Sequence, residues 1–159
     1  MDAQTRQSLA RRIRTQRVAA LGTLRDTAPL VSMVLYVAAG DLSAVYIHVS
    51  HLAEHTQALR QDRRVSLMIV EPDSGEMDPQ RLARVSICGD ATETPPTAGN
   101  YEDVKSAYVA KFPMAAVTFG LGDFVLYGIT PRNARYVGGF GKIFDLAAED
   151  FRHLASMTT

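Results

Sequence analysis

Apolar positions along this chain recur at two periods, and the switches between them mark out its elements. Over residues 4–17, Leu9, Ile13 and then Val18 fall on one stripe among arginines and glutamines, the spacing of a short amphipathic helix. Three β-rich runs follow at 18–25 (VAALGTLR), 30–38 (LVSMVLYVA) and 43–49 (SAVYIHV). The segments between them, Asp26-Thr27-Ala28-Pro29 and Ala39-Gly40-Asp41, are of hairpin length, so the runs predict an antiparallel meander. A polar elbow, Ser50-His51, leads into a helix over 51–61, and strand 65–71 begins almost at once after Arg60-Gln61-Asp62-Arg63-Arg64.

Residues 72–80 (PDSGEMDPQ) read as a loop and 82–93 as a strand in which Gly89 marks a bulge. A helix over 100–112 is stopped by Pro113. Strands 123–130 and 133–138, the reversal Gly138-Gly139-Phe140-Gly141 and a helix over 146–156 complete the pattern. The fold class is mainly β with flanking helices. About six antiparallel strands favour a small barrel, because closing a sheet removes its exposed edges; an open α+β sheet is the alternative. One domain is expected over 1–159, with an N-terminal helix to residue 17, a barrel with inserted helices over 18–138, and the C-terminal helix at 146–156.

Charge narrows the function. Seventeen basic and seventeen acidic residues cancel, which removes the electrostatic footprint of a nucleic-acid binder. Arg6, Arg11, Arg12, Arg14 and Arg17 form the one dense basic stretch and read as a solvated helix face. The first residues are hydrophilic and no apolar run approaches the roughly 20 residues of a membrane span, so a cytoplasmic protein is expected. Cys88 is the single cysteine and reads as a small buried side chain.

The densest chemistry sits at residues 50–56. Ser50, His51, His55 and Thr56 crowd one helix start, where unpaired N–H groups and the helix dipole attract phosphate or carboxylate. Simple capping by Ser50 is the competing reading. His51 and His55 are spaced like a metal pair, but HLAEH lacks the HExxH glutamate and no third ligand is near. His48 lies on the opposite strand face from Ile47 and Val49, turned to a ligand or to solvent. Ser32 and Tyr36 interrupt the apolar run 30–38, so the meander offers polar groups to a planar ring whose phosphate could rest at the helix start. Flavin mononucleotide (FMN) has that shape. Phe140, in a glycine loop without dinucleotide-binding context, could cover such a ring.

In sequence, helix, meander, Ser-x-Leu-Ala-x-His-Thr-x-x-Leu helix and Asp-Arg-Arg-Val-Ser-Leu strand resemble the pyridoxamine-phosphate-oxidase-like FMN-binding split barrels. Within them, SHLAEHTQALRQDRRVSLMIVEP and NARYVGGFGKIF are most similar to the haem-utilisation branch, over about residues 15–145. The resemblance implies a six-stranded antiparallel split β-barrel and a homodimer with two ligand sites between subunits, holding FMN or haem. It further implies that Ser32, Met33, Val34 and Leu35 run beside the flavin ring. His48, Val49 and Ser50, with the turn to His55 and Thr56, would meet the ribityl-phosphate side. His55 stands where oxidase relatives commonly have lysine or arginine, and strand 30–38 carries no basic residue, which disfavours a true pyridoxamine 5'-phosphate oxidase. His153 takes the position of a C-terminal axial haem ligand, with Asp123 or Asp145 as candidate supports. The expected chemistry is redox turnover on flavin or haem; a haem carrier or sensor without turnover is the alternative.

Overall fold

The computed structural model describes residues 1–139 and 141–155. Helix α1 (Ala3–Thr15) starts where the Asp2 carboxylate accepts the Thr5 N–H at 2.7 Å, and it stops where Gln16 turns extended. It buries Leu9 and Ile13, as the apolar stripe predicts, together with Thr5, whereas Val18, expected on the same stripe, lies beyond the helix in the first strand and is exposed.

One antiparallel sheet holds all the strands described: β1 (Val18–Arg25), β2 (Ala28–Leu35), β3 (Val37–Ala38), β4 (Val45–Ser50), β5 (Arg64–Val70), β6 (Arg84–Glu93), β7 (Phe124–Val137) and β8 (Ile143–Ala147). Their order is β2-β1-β5-β6-β7-β4-β3, with β8 pairing the far half of β7. The two edge strands, β2 and β3, are consecutive in the chain with Tyr36 alone between them. The sheet therefore curls until its edges approach, which is a split barrel. Tyr36 is fully buried at this seam and its hydroxyl donates to the Ile13 carbonyl at 2.9 Å, tying the seam to α1. Leu21, Ile47, Leu67, Ile69, Val85, Ile87 and Ile129 fill the interior.

Eight strands stand where six were expected. The run 30–38 breaks at Tyr36 into β2 and β3, and residues 143–147 add a strand that the pattern did not mark. Conversely, 123–130 and 133–138 are a single strand. Pro131, which has no N–H to give, sits opposite Gly89 at a bulge, where Arg132 is the extra residue and the ladder resumes at Asn133. Gly89 is required here: a Cβ on it would lie 2.4 Å from the Thr130 carbonyl oxygen.

Helix α2 (Glu54–Gln61) joins β4 to β5, and α3 (Tyr101–Lys111) with the short α4 (Ala115–Phe119) joins β6 to β7. The last helix, α5 (Ala148–Ala155), packs Phe151 and Leu154 into the same core. No helix among the described residues is long and apolar enough to cross a membrane. Cys88 is half-buried on the outer sheet face rather than inside, because Val85 and Ile87 take the inward positions of β6.

Candidate cofactor site

At the β4–α2 corner, polar side chains fold back onto the backbone. Ser50 Oγ accepts the Leu52 N–H at 3.1 Å, Thr56 Oγ1 donates to the Ser50 carbonyl at 2.6 Å, and Gln57 Nε2 donates to that of His51. Helix α2 consequently opens at Glu54, three residues later than the pattern predicts, on Ala53, which supplies no side-chain cap. The Ser50 hydroxyl closes the elbow instead of capping the helix, because the Leu52 N–H is its nearest donor. Glu54, in the first turn, already puts a carboxylate at the positive end of α2.

His55 is half-buried, its Nε2 is buried without a partner, and burial lowers its pKa below the ordinary histidine value. At neutral pH it presents an uncharged ring with one unmet polar atom. His51 Nδ1 is engaged by the Arg60 guanidinium, a position that a metal ion would need for itself. Of the corner's own residues, His55 is held toward its neutral form and Glu54 brings a negative charge, which suits a phosphate dianion poorly. The exposed Arg60 guanidinium, held on His51 Nδ1, is the cation that the corner offers it among the described residues.

His48 is the centre of an aromatic nest. Its ring stacks on Phe119 at 3.7 Å and 6°, with Tyr108 edge-on at 5.9 Å and Phe124 tilted at 5.3 Å. Thr118 Oγ1 lies 3.3 Å from Nδ1, and burial pulls the pKa down to about 4. The face expected to meet a ligand or solvent is therefore roofed by α4. Tyr108 also joins the two segments named from sequence: its hydroxyl accepts the His48 N–H at 3.4 Å and donates to the Leu35 carbonyl at 3.1 Å. Tyr108, Thr118 and Phe119 were missed in the sequence. The spacing of Val104, Tyr108 and Phe112 was the available signal for the first, and nothing local marked the other two.

Along β2 the alternation turns apolar side chains outward. Val31 and Met33 are each 71% exposed, and Leu35 joins them on a strand that is a sheet edge. Val18 on β1 and Met68 and Val70 on β5 continue the patch, with Ala20 paired to both Met33 and Met68. A shallow furrow of about 320 Å³ crosses it past Ser32. Of the other sequence candidates, the Val34, Val49 and Thr56 side chains face the core, which leaves only their backbone to a ligand. His153 is exposed on the last turn of α5, Asp145 pairs with Arg135 at 2.9 Å, and Phe140 lies outside the described residues.

The family of pyridoxamine 5'-phosphate oxidase matches over residues 5–138. No curated protein matches the sequence. Among solved structures, a haem-binding protein from Mycobacterium smegmatis is 28% identical with a TM-score of 0.81, covering 95% of this chain, which spans 60% of that protein. ChuZ from Campylobacter jejuni has a TM-score of 0.80 at 18% identity, covering 92% of this chain and 61% of its own length. The haem storage protein HutZ from Vibrio cholerae has a TM-score of 0.68 at 19% identity, over 89% of each chain, and at these identities both show likeness of fold alone. With its match running through nearly the whole barrel, the chain belongs to the pyridoxamine 5'-phosphate oxidase family and has its split-barrel fold.

Proposed function

We propose that this protein is a haem-binding split barrel of the haem-utilisation type, working as a homodimer whose subunits meet on the outward face of β2, β1 and β5. The observation that carries the choice of ligand is the state of the β4–α2 corner. Flavin mononucleotide needs charge for its phosphate, and there burial holds His55 toward its neutral form and Glu54 adds a negative charge, so the grip would fall to Arg60, which is already bonded to His51 Nδ1. A tetrapyrrole asks instead for a broad apolar surface, which Val31, Met33, Leu35 and Met68 supply beside Ser32. The name of the Mycobacterium smegmatis relative agrees with this reading. When bound, the haem iron would supply electron-transfer and oxygen chemistry; the residues of this chain would orient the ring and keep water from it. Among the described residues the furrow is lined by Ser32 and apolar side chains, a surface suited to binding and delivery of the ring.

The test is the absorption spectrum of the purified protein titrated with haemin. A saturable Soret band at one haem per subunit is expected, with its position altered in His153→Ala if that side chain reaches the iron. Flavin bands that survive desalting, with no response to haemin, would overturn the haem reading in favour of FMN. Absence of both chromophores would remove the cofactor site altogether.

A further inference from the structure

We propose a second binding site, for a small organic anion bearing a carboxylate or phosphate, in the cleft between α1, the end of β7 and the β5–β6 connection. The cleft is about 470 Å³ and shares no residue with the furrow on the β2 face. Arg12, Arg81 and Lys142 line it, against one lining carboxylate, Glu71. Asp2 also lies within electrostatic reach of Lys142, but its carboxylate is committed to capping α1.

Arg12 makes the site more than a charged surface. Its side chain is only 11% exposed, and its sole ion-pair partner among the described residues is Glu71, at a loose 3.5 Å. The same Glu71 oxygen accepts the Ala83 N–H at 3.1 Å, so it is shared, and Arg12 Nε is buried with no hydrogen-bond partner among the described residues. A guanidinium has five donors in a fixed fork, and burying it this under-satisfied is costly unless another acceptor arrives. An oxyanion in the cleft is the group that would complete it.

The walls are built to place the other two cations. Gly138 donates to the Lys142 carbonyl at 2.8 Å and Lys142 returns a bond to the Gly139 carbonyl at 3.3 Å, closing a tight turn that sets Lys142 beside the cleft. Gly139 sits at φ +112°, and the Arg81 carbonyl lies 3.7 Å from where a Cβ would stand, so the turn seats closely on Arg81. Met77, Ala83 and the ring of Tyr136 give the cleft an apolar floor. A flat or short-chain body on that floor with its anionic head toward Arg12 matches this distribution.

The experiment uses the full chain labelled with nitrogen-15, titrated with phenyl phosphate, benzoate and inorganic phosphate while the Arg12 Nε–Hε resonance is followed. A saturable shift of that resonance is expected with phenyl phosphate or benzoate, and a weaker one with inorganic phosphate, which cannot use the apolar floor. The exposed double variant Arg81→Gln/Lys142→Gln should weaken binding by about tenfold or more, as expected for the loss of charge-assisted bonds. Glu71→Gln, which keeps an acceptor for Ala83 but removes the competing charge, should tighten it. The proposal is overturned if the Arg12 resonance does not respond to the organic anions, if the double variant binds them as well as the parent, or if Glu71→Gln fails to tighten binding.

Discussion

At the scale of single residues, the arrangement turns on groups that fit only one way. Gly89→Ala would drive a methyl into the Thr130 carbonyl, and we expect a loss of about 3 kcal/mol in urea unfolding, because backbone on both sides must move. His48 makes the fold acid-sensitive. Its folded pKa of about 4 lies below the unfolded value near 6.5, so the folded state binds fewer protons, and stability falls as pH drops between those values. The ring is only half-buried and solvent screens part of the cost, which leaves roughly 1–2 kcal/mol. Replacing His48 with Phe should flatten that slope, read from denaturation midpoints at pH 7 and pH 4.5. Little of this is legible in the sequence. The alternation marks His48 as facing away from Ile47, but its stacking partner Phe119 is far along the chain, and no local spacing reports such a meeting.

At the scale of elements, the helices with long apolar stripes were legible and the short pieces were not. Leu9 with Ile13, and Val104 with Tyr108 and Phe112, repeat at helical spacing over enough turns to be read. Helix α4 offers five residues, none of them fully buried, so it has no stripe. Strand β8 exists because it pairs with β7, a fact invisible in its own sequence. Helix α2 starts at Glu54 rather than beside Ser50, because the Ser50 hydroxyl accepts the Leu52 N–H and leaves the helix without a side-chain cap. The β1–β2 hairpin shows a second mismatch. Asp26 and Thr27 have φ of 49° and 67°, so the turn needs left-handed backbone at both positions without a glycine. Thr27→Gly should raise stability by about 1 kcal/mol, seen as a higher melting temperature, since a β-branched residue is strained there.

At the scale of the whole molecule, the outward face of β2 is the feature that a lone subunit explains least. A long apolar strand at a sheet edge invites pairing or aggregation unless it is covered. If a second copy covers it, Val31→Lys/Met33→Lys should give the mass of one subunit by light scattering at micromolar concentration, while the far-ultraviolet circular dichroism stays that of the parent. The same variant should lose the Soret response to haemin if the ligand sits at that contact, so one pair of substitutions reads assembly and binding together.

Strand β7 carries a consequence for how the protein is made. It lies between β6 and β4 and also pairs with β8, yet it spans residues 124–137, near the end of the described chain. Until the ribosome has released it, β4 and β6 have no neighbour to join them, and the apolar inner faces of the earlier strands remain open. The barrel therefore closes only after residues 124–137 have been synthesised, so a nascent chain halted before residue 124 should stay sensitive to protease. Loss of β7 would cost the molecule its closure as a whole rather than one strand of eight.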